Sequence, residues 1–222
     1  MNLNNFNKLL FKKAGLLKCI FLTLFFQIFV TGIVVFYLNN REKDLLKILR
    51  NQNFFLIFFL ILAINIGLIT FMIIGNISFE MRFMIFILFS IIQGALLSLS
   101  TRFLSKEVIY AAIVSTCCIF LSFLFAGFII TSMKINLSWL GILLFFSLLG
   151  LLITQIVTAF TQTTKKTHRL ITTFGLLIFS LYVLYDTNKI LIKYQNTGID
   201  CIRGSLDYYL DIINIFLFST RD

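Results

Sequence analysis

A chain of 222 residues is long enough for one or two water-soluble domains, but 59% of this one is hydrophobic, only 13% is charged and 28 residues are Phe. Soluble domains run at roughly 45–50% apolar and about 25% charged residues, so the composition excludes a soluble enzyme, a nucleic-acid-binding domain and a disordered regulator. The formal charge of +10 comes from Lys and Arg set singly or in small groups between apolar runs. That is the arrangement of membrane flanks rather than of one binding patch.

A bilayer core about 30 Å thick demands roughly 20 helical residues per crossing, because backbone amides without partners are not tolerated in lipid. In chain order, six stretches meet that length: 16–38, 54–74, 83–100, 108–131, 139–160 and 170–192. The connections between them are short and hold the charge. The expected architecture is therefore an all-α integral membrane protein, with one transmembrane domain over residues 1–222. Lys8, Lys12, Lys13 and Lys18 give the first span the look of a signal peptide. Its apolar core exceeds the roughly 7–15 residues of such a peptide and no small-x-small cleavage site follows, so the span is expected to stay in the mature protein.

The last segment, 205–220, is shorter and carries Asp207, Asp211 and Asn214 at spacings of four and three, which puts them on one helical stripe. A charged residue within a span costs about 2.5–3.5 kcal/mol on insertion scales and normally faces the protein interior. A seven-helix bundle with the C-terminal helix central is the expectation that follows. Basic residues divide almost evenly between the two sides, so the positive-inside rule does not fix the orientation. The N-terminal lysines favour a cytoplasmic N-terminus.

Of the acidic residues, Glu42, Asp44, Glu80, Glu107, Asp200 and Asp222 lie in connections or at a terminus, whereas Asp186, Asp207 and Asp211 fall in or close to apolar helix. If the sixth helix ends near Tyr194 and the next begins at Ser205, Asp186 and Asp211 lie about 12 Å and about 9 Å from the ends joined by the loop. The two carboxylates are then expected to face each other at similar depth. In a low dielectric they do not comfortably both ionise, and one proton is shared. Protonated, the pair is a latch between helices; deprotonated, it repels and presents hard oxygen ligands suited to Ca²⁺. The plainer alternative is structural, each carboxylate bonding a helix end or a neighbouring Tyr, Asn or Lys.

Arg82, beside Glu80 at the start of the third span, is either the cationic partner of a carboxylate or an interfacial arginine. Lys189 and Lys193 are expected to snorkel to the head groups. His168, in a basic loop with Lys165, Lys166 and Arg169, is expected to be a solvated flank. Cys19, Cys117, Cys118 and Cys201 have neither paired metal spacing nor the density of a disulfide scaffold, and reduced thiols are expected.

Two segments carry a resemblance. FGLLIFSLYVLYDTNKI at 174–190, followed by LDYYLDIINIFLF at 206–218, closely resembles the two signature segments of the Bax inhibitor-1 family, and the stretch from Gly94 to Trp139 is a weaker match. The resemblance implies seven helices with the last one central, and a passive, pH-sensitive Ca²⁺ leak channel with a cytoprotective role. It places the family's two pore aspartates on Asp186 and Asp211, which would hold Ca²⁺ transiently. Arg82 stands near an arginine that pairs with them in some bacterial relatives, and Asp207 and Asn214 are auxiliary candidates. The implied partners are the lipid bilayer and calcium ions, with no cofactor and no nucleic acid.

The ending FSTRD resembles that of a bacterial member thought to restrain a membrane-bound ATP-dependent protease. This supplies an alternative, a non-conducting modulator of such a protease. Paired membrane aspartates also suggest an intramembrane aspartyl protease. Those enzymes use Gly-x-Gly-Asp where this chain has Gly204, Ser205, Leu206 and Asp207, and they need a proline-containing loop where this chain has no Pro; no enzyme is expected. Abundant Phe, Ile, Lys and Asn suggest an AT-biased genome and a bacterial inner membrane, with the endoplasmic reticulum or Golgi membrane as the alternative.

Overall fold

A computed structural model of the chain describes residues 3–40, 54–75, 77–161 and 164–221; Glu42, Asp44 and Asp222 lie outside them. Among the described residues there are seven helices and no strand. They are α1 (Leu3–Asn39), α2 (Phe54–Ile74), α3 (Phe79–Thr101), α4 (Lys106–Ser132), α5 (Ser138–Phe160), α6 (Lys165–Lys193) and α7 (Gly198–Ser219). Five contain stretches long and apolar enough to cross a membrane, namely Leu9–Asn39, Phe79–Thr101, Lys106–Ser132, Ser138–Thr158 and Lys165–Lys193. The protein is an all-α membrane protein. Large apolar side chains such as Phe25, Phe36, Phe146 and Phe160 point outward, which only a lipid surround makes favourable.

Two helices start earlier than their hydropathy suggests, and capping explains both. The Thr164 hydroxyl accepts from the Thr167 N–H at 3.3 Å, so Lys165–Arg169 forms the opening of α6 instead of a loop. Likewise the Thr197 hydroxyl accepts from the Asp200 N–H at 3.2 Å, and Asp200 sits in the first turn of α7, where negative charge suits the helix dipole. At 22 residues α7 reaches about 33 Å, enough to cross a bilayer core. The shorter segment expected from hydropathy is thereby corrected.

The described residues form two compact units, one from within 1–17, 104–196 and 206–222, the other from within 18–103 and 197–205. In the first unit α4 packs most extensively on α6, and α5 packs on α6 as well. The α4 contact is close because position 127 is Gly: a Cβ there would lie 2.7 Å from Thr187 Cβ. On α5, a Cβ at Gly141 would lie 2.7 Å from Tyr185 Cζ. Tyr208 of α7 donates to the Thr187 hydroxyl at 3.0 Å and meets Phe120 of α4 edge-on at 5.5 Å between centroids. From Ile199 to its end α7 has no exposed residue, which is true of no other described helix.

In the second unit α2 packs on α3, with Gln93 donating to Asn65 at 3.1 Å. The α1 segment meets α3 at Gly94, where a Cβ would lie 2.9 Å from the Thr31 carbonyl oxygen, and the Thr31 hydroxyl donates to the Ser90 carbonyl. Cys19 and Cys201 form a disulfide, with their Cα atoms 5.7 Å apart, so the expectation of four reduced thiols fails for these two. Their sequence separation of 182 residues hides the pairing, and the helical start of α7 brings Cys201 to α1. Cys117 and Cys118 are free and exposed.

Candidate functional site

The polar centre of the first unit is built by α6 and α7. Asp186 and Lys189 are three residues apart on α6, which sets them on one face. The Lys189 ammonium donates to Asp186 Oδ1 at 3.2 Å and to Asp207 Oδ2 at 2.7 Å. The same Asp207 oxygen accepts from the Tyr194 hydroxyl at 2.8 Å. Tyr194 follows the last residue of α6, its N–H bonded to the Ile190 carbonyl at 3.2 Å. Burial, and then the Asp207 carboxylate, push the Tyr194 phenol up, so it stays a proton donor at neutral pH. The Tyr194 carbonyl is also bonded by Lys13 of α1.

Asp186 is 6% and Asp211 4% exposed, whereas Lys189 and Asp207 keep about a quarter and a fifth of their side chains accessible. Asp211 Oδ2 is buried and has no hydrogen-bond partner among the described residues. Buried charged groups are normally paired, so this oxygen is the least satisfied acidic atom of the unit.

Asp186, Lys189 and Asp207 are thus brought together, and no hydrogen bond or ion pair joins Asp186 to Asp211 among the described residues. The early start of α7 is the cause. Counted from Gly198, Asp207 lies about 14 Å and Asp211 about 20 Å along the helix, while Asp186 lies about 10 Å from the end of α6. Asp207 is therefore nearer the level of Asp186, and Asp211 lies one turn deeper. Lys189 does not snorkel; it bridges two carboxylates. Its position three residues after Asp186 was the signal for this, since a lysine within a membrane helix pairs with an acid when one is in reach.

Asn214 donates to the Leu210 carbonyl of its own helix at 2.7 Å. Arg82 belongs to the second unit. It stands in the first turn of α3 and is 3% exposed; its Nη2 donates at 3.0 Å to the carbonyl of Gly75, which follows the last residue of α2 and is a favourable place for a cation. Arg82 Nε and Nη1 have no hydrogen-bond partner among the described residues. His168 and Lys193 are exposed, as expected of flanks, although His168 stands on helix. No group of three or more His, Cys, Asp or Glu side chains is placed to hold a metal ion among the described residues. A cation at this site would be held by carboxylates in ones or twos, completed by water or carbonyl oxygens.

Comparison with known proteins agrees with the two motifs. Residues 13–220 match the family model described as inhibitor of apoptosis-promoting Bax1. The chain is 30% identical over 209 residues to Bax inhibitor 1 of Schizosaccharomyces pombe, an alignment covering 92% of this chain and 74% of that protein. It is also 27% identical over 202 residues to the inner membrane protein YbhL of Escherichia coli strain K12, covering 86% of this chain and 83% of the relative.

Proposed function

The chain belongs to the Bax inhibitor-1 family, and from that premise we propose that it is a passive, pH-sensitive Ca²⁺ leak whose cation pathway runs past Asp211 and Asp186. The observation that carries this reading is the buried Asp211 oxygen that has no hydrogen-bond partner among the described residues, one turn from the Asp186–Lys189–Asp207 cluster. Intramembrane carboxylates face ion pathways or pair with one another, and Asp211 makes no ion pair among the described residues. Lys189 holds the place of a cation between Asp186 and Asp207. When its ammonium leaves Asp186, that carboxylate and Asp211 offer the oxygen ligands Ca²⁺ takes. Protonation removes those ligands, so acid closes the path. The protein thereby moves an ion without covalent chemistry, and a cell carrying it tolerates stress better. Similarity to an Escherichia coli inner membrane protein supports a bacterial inner membrane as its location.

The test is Ca²⁺ flux into proteoliposomes measured from acid to alkaline pH. We expect flux to fall with acidification, and Asp211→Asn and Asp186→Asn each to abolish its pH dependence. Flux that is indifferent to pH and to both substitutions overturns the reading.

A further inference from the structure

At the end of the first unit remote from the acidic cluster, a cavity of about 490 Å³ opens between three helix ends. It is lined by Gln155 and Thr158 from the last turns of α5, His168, Ile171 and Thr172 from the start of α6, and Arg221 just beyond α7. From His168 to Asp186 along α6 is about 27 Å, so this is a separate place. Among the described residues every polar side chain that lines the cavity is a hydrogen-bond donor or a cation, and none is a carboxylate.

Three features make the cavity a receptor for an anion. Thr172 is 3% exposed yet lines the space and makes no hydrogen bond among the described residues; the neighbouring Thr173 spends its hydroxyl on the Arg169 carbonyl at 3.0 Å. Arg221 is fixed in orientation, with its guanidinium 4.7 Å over the Phe218 ring and its N–H bonded to the Phe218 carbonyl at 3.2 Å. Among the described residues no acceptor takes its planar fork of donors. The mouth is flanked by exposed Lys165, Lys166 and Arg169 in the opening turns of α6, which raise the local potential for anions.

The space exceeds what a bare tetrahedral anion needs, and Ile171 supplies an apolar wall. Its level is set by the helix ends: α5 stops at Phe160 and α6 begins at Lys165. Head groups lie at this depth. We propose that this cavity binds a phosphate group, with Arg221 as its cationic clamp and Thr172 as a buried donor.

The experiment is a binding titration of the full-length protein in neutral detergent by native mass spectrometry and thermal shift. One arm uses short-chain phosphatidylglycerol, a second inorganic phosphate, and a third phosphatidylcholine. Saturable binding with a rise in melting temperature is expected, weakened about tenfold or more by Arg221→Gln, as befits one charge-assisted hydrogen bond, and weakened by Thr172→Val. Lys166→Gln, outside the lining, should change affinity less than twofold. Binding of phosphatidylglycerol alone identifies a lipid head group as the source, and binding of inorganic phosphate at similar affinity identifies the free anion. If no arm saturates, or if Lys166→Gln weakens binding as much as Arg221→Gln, the site does not exist.

Discussion

Lys189 is held by Asp207 on α7 more closely than by Asp186 on its own helix, at 2.7 Å against 3.2 Å. The ammonium therefore serves first as a tie between α6 and α7 and second as a counter-ion within α6. Removing it leaves Asp186 and Asp207 facing each other with no cation between them. Exposed ion pairs contribute up to about 1 kcal/mol, and breaking buried ones costs about 3–5 kcal/mol. With both side chains partly accessible, Lys189→Met is expected to cost about 1–3 kcal/mol. A double-mutant cycle with Asp207→Asn, read by thermal unfolding in detergent, should recover most of that as coupling. Strict additivity would show that the pair holds nothing together.

Asp211 should respond in the opposite sense. Its buried Oδ2 has no hydrogen-bond partner among the described residues, so replacing the carboxylate with the neutral amide of nearly equal shape removes a poorly solvated acid and breaks none of the hydrogen bonds described. Asp211→Asn is expected to leave the melting temperature unchanged or to raise it. Asp207→Asn, which loses Lys189 and weakens the bond from Tyr194, should lower it. A loss above about 1 kcal/mol for Asp211→Asn would mean that the carboxylate has structural partners after all.

Much of this site could be read from residue types alone. Length and hydropathy place six of the seven helices, because the cost of unpaired backbone in lipid leaves few alternatives, and the three intramembrane aspartates stand out for the same reason. Misjudged were features set by local capping and by contacts distant in sequence. Thr197 and Asp200 start α7 seven residues before its hydropathy does, and that shift moves Asp207, rather than Asp211, towards the level of Asp186. Lys189 carries a charge that suits a head group as well as an acid; its spacing from Asp186 points to the acid, but its shorter bond to Asp207 on the next helix carries no such signal. Cys19 and Cys201 carry no spacing signal across 182 residues.

That disulfide is itself testable. Oxidised protein should react with a thiol-specific maleimide at two sites, Cys117 and Cys118, and reduced protein at four. Cys201→Ser should then free Cys19. Closing so long a loop stabilises a fold by about 2–4 kcal/mol in typical cases, so reduction should lower the melting temperature and Cys201→Ser should abolish its sensitivity to reductant. Four reactive thiols in the oxidised protein would remove the bridge.

Asn188, next to Lys189 on α6, anchors the turn between α4 and α5. Its amide donates to the Thr131 hydroxyl and to the Ile135 carbonyl, both at 2.9 Å, and its oxygen accepts from the Leu137 N–H at 3.0 Å. Leu137 is the N-cap of α5 and makes no side-chain capping bond, so Asn188 supplies from another helix part of what a local cap would. The turn also holds Lys134 at a φ of 62°, a backbone state that needs outside support in a non-glycine residue. At about 0.5–1.5 kcal/mol per hydrogen bond, Asn188→Leu should cost about 2–4 kcal/mol. Hydrogen exchange at Ile135 and Leu137 should accelerate before global unfolding does. Protection unchanged at these two amides would show that the turn holds itself.

The close packing of α4 on α6 gives the last prediction. A Cβ at position 127 would lie 2.7 Å from Thr187 Cβ, 2.9 Å from Thr187 Cγ2 and 3.1 Å from the Leu184 carbonyl oxygen. None of these is the far end of a flexible side chain. In a helix interior Gly→Ala normally stabilises by roughly 0.5–1 kcal/mol. Here the overlap must push α6 away from α4, and overpacking typically costs about 1–3 kcal/mol. The displaced residues adjoin Asp186 and carry the Thr187 hydroxyl that Tyr208 bonds, so the shift reaches the contact between α6 and α7. Gly127→Ala should therefore destabilise the protein despite its better helix propensity, and Gly150→Ala, with nothing within 4 Å of the added carbon, should stabilise it slightly. Equal effects at the two positions would mean that α4 and α6 do not approach each other closely at Gly127.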